Sequence, residues 1–171
     1  MKTTIIGCGN MGLIYARAFL KYNIVSKEEL LLVEKNESRK LELLKLNIGE
    51  VCVVDDLRIK ESELIILAVK PQDFNEIGVE LKRSLKPSNI LISIMAGMKI
   101  ERIEAALAHK NIIRAMPNSP AELGMGMTAF TANKALSIEQ IRKAENLLAT
   151  TGRTVFFENE EIGRASCRER V

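Results

Sequence analysis

The 171 residues are 47% hydrophobic and 27% charged, the balance of a globular chain of one domain. A net charge of +3, with no basic run before the last few residues, gives no support for a nucleic acid or an anionic membrane as partner. No apolar run approaches the roughly 18 residues of a membrane span, and "MKTTIIGCGNMG" lacks a signal peptide's long apolar region. Cys8, Cys52 and Cys167 stand at unrelated spacings that suggest neither a disulfide framework nor a zinc site, so a reducing cytoplasm is the expected setting.

In chain order, a β-branched run predicts a strand over Thr3 to Gly7, followed by a helix over Asn10 to Lys21. The junction reads "IIGCGNMG", in which Gly7, Gly9 and Gly12 complete GxGxxG. Gly7 permits the tight turn, Gly9 lets the backbone approach a pyrophosphate, and Gly12 lets the helix pack close to the strand. The amides at Asn10 and Met11 would then face phosphate oxygens, where the helix dipole favours negative charge. Ser26 and Glu29 have the spacing of a capping box and predict a helix start.

A second strand is predicted over Leu30 to Glu34, and Glu34 stands about 20 residues after the glycines, where a dinucleotide site places an acid for the ribose 2'-hydroxyl. Lys35, Arg39 and Lys40 follow at once and offer charges for a 2'-phosphate instead, so the choice between NADH and NADPH stays open. Further strands are predicted over Glu50 to Val54, Leu64 to Val69, Asn89 to Ile94, Asn111 to Ala115, Gly126 to Thr131 and Arg153 to Phe157. Helices are predicted over Glu37 to Leu46, Phe74 to Ser84, Lys99 to Leu107 and Ser137 to Thr150, the last with a capping box of Ser137 and Gln140. His109 is expected as a solvated helix cap, Cys8 as a small buried side chain, and the methionines of "ELGMGMTAF" as core and strand. No metal-ligand cluster and no nucleophile–base pair is expected.

Continuous apolar strands such as "LIILAV", alternating with helices, fit a sheet covered on both faces. The fold class expected is α/β, a doubly wound and mostly parallel sheet of the Rossmann type. Its ligands bind beyond the carboxyl ends of the strands, and three segments that begin there stand out: "ILAVKPQDF", "LISIMAGMKIERIEAAL" and "IIRAMPNSPAELGMGMTAF".

Together with the glycine turn these segments resemble pyrroline-5-carboxylate reductase, in order and with natural spacing, from about Lys2 to Glu160. "AVKPQ" and "RAMPNSPAELGMG" carry most of the resemblance; Ser119 stands where the family usually has threonine. The resemblance implies hydride transfer from NADPH or NADH to the C5 imine carbon of 1-pyrroline-5-carboxylate, giving L-proline. It implies that the cofactor lies on the glycine turn and on the backbone of Ala68, Val69, Lys70 and Pro71. It also implies contacts at Met95, Ala96 and Gly97, with the Asn118 loop near the nicotinamide. Glu34 and Lys35 complete the expected cofactor set. The substrate loop and dimer interface belong in that family to a helical domain beyond the segment matching "TGRTVFFENEE", so catalytic residues are expected outside this chain and a homo-oligomer is expected for the intact protein.

The residues after Glu160 read differently: "EIGRASCRERV" reverse-translates into codons resembling a sequencing-library adapter, and 161–171 are expected to be a non-native tail after a domain of residues 1–160. Two other readings stand beside the reductase. One is a β-hydroxyacid dehydrogenase, which shares the glycine turn but whose substrate loop is not evident here. The other is a non-catalytic relative or cofactor-binding regulatory module.

Overall fold

A computed structural model describes residues 1–118 and 124–160; Ser119 and the tail from Glu161 lie outside them. Eight strands form one sheet: β1 (Thr3–Ile6), β2 (Leu30–Val33), β3 (Glu50–Cys52), β4 (Leu64–Leu67), β5 (Ile90–Ser93), β6 (Ile112–Pro117), β7 (Gly126–Ala132) and β8 (Gly152–Phe156). Five helices connect them: α1 (Asn10–Lys21), α2 (Glu37–Leu46), α3 (Phe74–Arg83), α4 (Ile100–Leu107) and α5 (Ile138–Leu148). The spatial order is β3-β2-β1-β4-β5-β6-β7-β8. β1 to β6 run parallel, the hairpin from β6 to β7 reverses direction, and β8 pairs parallel with β7. This is the expected doubly wound, mostly parallel sheet.

The central strands β1, β2, β4 and β5 are buried along their whole length because helices cover both sides. Alternate residues along these central strands divide between two clusters. Ile5, Leu32, Leu64 and Ile66 pack with Tyr15 and Phe19 of α1 and Leu147 and Leu148 of α5. Ile6, Leu31, Ile65 and Leu67 pack with Phe74 and Leu81 of α3 and Ile103 and Leu107 of α4. Burying a side chain of this size stabilises by about 1.5–3 kcal/mol, so the period-two division of the strands holds the helices to their two faces.

Four expectations change. The capping box at Ser26 opens only a 3-10 turn, Lys27–Glu29, because Leu30 already pairs with Thr3 in the sheet. Gly7 and Glu34 lie just beyond β1 and β2, where the chain leaves the ladder. His109 is no solvated cap: it is 6% exposed, and its Nε2 lies 2.8 Å from the carbonyl oxygen of Asn89. Ala108, at φ 50°, turns the chain at the end of α4 and swings the imidazole inward. Of the methionines expected in the core, Met125 is 71% exposed and Met127 half-buried on β7.

Candidate dinucleotide site

Parallel strands whose connections diverge to opposite sides leave a crevice at their carboxyl ends. Here the divergence falls between β1 and β4: the chain leaves β1 toward β2 and β3, then returns to β4 on the other side of β1. The register pairs Ile6 with Leu67, so the two strands end level and the glycine turn lies against Ala68 and Val69.

Each glycine of the turn meets a different constraint. Gly7 has φ +91°, and a Cβ there would lie 2.7 Å from Val69 Cγ1 and 2.9 Å from the Ala68 carbonyl. A Cβ on Gly12 would lie 2.2 Å from the Gly7 carbonyl oxygen, so only a bare backbone lets α1 pass this close to the turn. Gly9 differs: a Cβ there has nothing within 4 Å. Among the described residues nothing requires a glycine at that position, and the space in front of it is open for a ligand. Gly9 is also the N-cap of α1 and no side chain caps the helix there, which leaves first-turn amides facing outward with the positive end of the helix dipole.

A groove of about 650 Å³ extends from this turn along the ends of β2, β3 and β4, within the size range of small-molecule sites. It brings together Gly7, Gly9, Glu34, Lys35, Ala68, Val69 and Lys70 of the expected set. Asn10, Met11, Gly12 and Pro71 adjoin it in sequence without lining it, and Met95, Ala96, Gly97 and Asn118 lie off it. Ala96 and Gly97 are exposed on the loop after β5, with Gly97 at φ +71°. Met95 is buried, so only its backbone is available to a ligand. Asn118 faces β7: its Oδ1 accepts from the Met127 amide at 2.8 Å, and its own amide donates to the Met127 carbonyl at 3.2 Å.

The charged residues at the end of β2 are all engaged. Glu34 Oε1 accepts the amides of Lys35 (2.9 Å) and Asn36 (3.0 Å), and Oε2 accepts the amide of Cys8 (3.2 Å). Arg39 Nη1 donates to the Cys8 carbonyl at 3.3 Å, and Lys40 pairs with Glu37 at 2.7 Å. Lys35, just after β2, reaches across to the start of α3, where Glu76 of the helix (3.3 Å) and Asp73 just before it (3.4 Å) hold its ammonium above the usual lysine range. Beneath the turn, burial and then the nearby Glu34 carboxylate push the Cys8 thiol up to about 12, far from the thiolate a nucleophile needs.

The sequence reading missed the apolar wall formed by Val53, Val54 and Ile77. Val53 and Val54 follow β3 directly, so the rule that ligands gather at strand ends was signal enough; Ile77 lies on α3 and enters through packing. Among the described residues no group of three or more His, Cys, Asp or Glu could hold a metal ion, and no helix is long and apolar enough to cross a membrane.

The family described as NADP oxidoreductase, coenzyme F420-dependent, matches residues 2–97, which is 96 of the 171. The chain belongs to this family. The match begins before β1 and ends at Gly97, so it spans the glycine turn and the groove and stops within the loop after β5. Within it, the chain is similar to curated pyrroline-5-carboxylate reductases. It is 35% identical to that of Aquifex aeolicus over 89% of this chain and 56% of the relative. Against that of Synechocystis it is 33% identical over 88% and 56%. The resemblance drawn from the motifs therefore holds. The solved pyrroline-5-carboxylate reductase of Coxiella burnetii superposes with a TM-score of 0.86 at 26% identity, covering 98% of this chain and 63% of that one. The Plasmodium falciparum enzyme, solved with NADP bound, shares the fold at a TM-score of 0.81 and 23% identity, covering 96% and 60%. The chain thus spans little more than half the length of the curated relatives it matches.

Proposed function

We propose that this chain is the cofactor-binding part of a pyrroline-5-carboxylate reductase, a cytoplasmic homo-oligomer when intact, using NADPH or NADH. The observation that carries the reading is the open space before Gly9, at an uncapped helix start on the strand crossover. The residues fit the cofactor in three places: outward amides for a pyrophosphate, an apolar wall at Val53, Val54 and Ile77 for a flat base, and the exposed Ala96–Gly97 backbone for close approach of a ring.

When bound, the nicotinamide supplies the hydride that reduces a C=N bond. The protein's part is placement. A protonated imine is already electrophilic, so little covalent help is needed once the two reactants are held about 3–3.5 Å apart. The glycine turn and the loop after β5 fix one reactant. The residues that hold 1-pyrroline-5-carboxylate, and the subunit contacts, belong in this reading to sequence beyond the match.

The test is titration of the chain with NADPH and with NADH, followed by nicotinamide fluorescence. Saturable binding of at least one supports the proposal. Binding of neither at millimolar cofactor overturns it.

A further inference from the structure

Cys8 occupies the centre of the glycine turn, and both polar groups of its backbone are held by side chains that arrive from beyond β2. Its amide donates to Glu34 Oε2 at 3.2 Å and its carbonyl accepts from Arg39 Nη1 at 3.3 Å. Its thiol is buried 3.8 Å from the Val33 carbonyl oxygen, so the side chain is held as well. Opposite charges thus flank one residue held at its amide, its carbonyl and its thiol, and the next residue, Gly9, faces open space.

Glu34 is the acid a dinucleotide site would use to accept a ribose 2'-hydroxyl. A carboxylate has about four acceptor positions, and three of them here are filled by the amides of Cys8, Lys35 and Asn36. These bonds join the glycine turn to the loop that follows β2. Hydrogen bonds to an ionised acceptor are roughly twice as strong as neutral ones, so this carboxylate is committed to the backbone before any ligand arrives. Arg39 has five N–H donors and gives one to the Cys8 carbonyl while still lining the groove.

We infer that Glu34 and Arg39 are a positioning pair: they hold the Cys8 backbone so that the amides of Gly9 and the start of α1 point at a pyrophosphate, and Glu34 does not select between the two cofactors. This rests on the dinucleotide reading above. It has a distinct consequence. Removing an acid that reads ribose penalises NADH and relieves NADPH, whereas removing a clasp under a shared phosphate turn weakens both alike.

The experiment uses the whole chain with Glu34→Gln, Arg39→Met and the double variant, each checked for folding by circular dichroism. Dissociation constants for NADPH and NADH come from nicotinamide fluorescence, and exchange of the Cys8 amide is measured by NMR without ligand. We expect Glu34→Gln to weaken both cofactors about tenfold and leave their ratio within about twofold. With NADH, which carries no 2'-phosphate, the double variant loses less than the product of the single losses, because both side chains act on one residue. Exchange of the Cys8 amide rises about tenfold in Glu34→Gln.

A tenfold or greater shift of the ratio toward NADPH would overturn the inference and make Glu34 a ribose reader. Strictly multiplicative losses with NADH would overturn the pairing. If the unaltered chain binds neither cofactor, the dinucleotide reading fails by itself and unchanged exchange at Cys8 still rejects the clasp. If Glu34→Gln does not fold, Glu34→Asp replaces it; the carboxylate is then one methylene short of Cys8, equal losses for both cofactors are expected, and unaltered affinity rejects the proposal.

Discussion

Gly9 and Gly12 belong to one motif but answer to different physics, so the same kind of substitution separates them. Gly9→Val places its side chain in open space; stability should change by no more than about 1 kcal/mol, the scale of a helix-cap effect. Affinity for NADPH and NADH should fall at least tenfold, because the branched chain fills the place where a pyrophosphate meets the amides. Gly12→Ala puts a methyl group 2.2 Å from the Gly7 carbonyl oxygen and should cost about 3 kcal/mol in urea unfolding, at the upper end of overpacking. Affinity lost in Gly12→Ala without loss of stability would contradict this division. The thiols give a second test at this scale. Burial pushes Cys8 and Cys52 from the ordinary 9.0 up to about 12. The fold therefore binds its thiol protons more tightly than the unfolded chain does, and this contribution to stability is complete below about pH 8.5 and lost as pH rises toward 12. Peptide mapping after iodoacetamide treatment of the native chain at pH 8 should find both residues unmodified; rapid labelling of Cys8 would show that the turn opens.

Between elements, the structure contains a junction that no local pattern announces. Arg114 on β6 is buried, with a side chain only 8% exposed, and its Nη1 lies 3.3 Å from the Glu160 carbonyl oxygen and 3.5 Å from Oε1. The same Oε1 accepts the Ile100 amide at 2.9 Å, at the start of α4. Glu160 thus ties the segment after β8 to β6 and to the helix that follows the Ala96–Gly97 loop. Arg114 Nε is buried without a described partner, so the guanidinium already carries part of its desolvation cost. Glu160→Ala should remove about 2–3 kcal/mol of stability by leaving a buried charge unmatched. Adding Arg114→Met should restore much of that loss, because an apolar chain of similar length carries no such charge. Equal stability of the single and double variants in urea would show that the ion pair is not what matters. After β7, the capping box at Ser137 forms as expected, with the Gln140 backbone N–H donating to Ser137 Oγ at 3.2 Å and the Ser137 amide donating back to Gln140 Oε1 at 2.9 Å.

For the whole molecule the prediction concerns turnover. A reductase must hold an imine and a nicotinamide together, and two reactants fixed in one site react far faster than two that meet by diffusion. In the proposed reading, the groove and loops of this chain serve the cofactor, and the imine is held by residues elsewhere. NADPH oxidation with 1-pyrroline-5-carboxylate should therefore stay at background for this chain, and should appear when residues 1–160 are joined to the part of the Aquifex aeolicus relative beyond the match. Turnover by the chain alone would place the substrate site within these residues. Silence of the fusion, with cofactor binding intact, would favour a non-catalytic relative.

How much of this was readable from sequence follows from the range of the interaction concerned. Strand alternation, helix periods and the glycine turn depend on neighbours a few residues away. The sequence therefore determined the existence and type of nearly every element, the fold class, and the packing reasons for Gly7 and Gly12. The partners of charged groups depend on which strands become neighbours. Glu34 is offered by the sequence as a ribose acceptor, and only the β1–β2 pairing shows that its carboxylate also receives the Cys8 amide. His109 looked solvated until the turn at Ala108 carried it to Asn89. Arg114 and Glu160 lie 46 residues apart and meet only across the packed sheet. The tertiary structure decided these matters because a hydrogen bond or ion pair needs its two groups within about 3–4 Å, and no local pattern encodes that distance between remote segments.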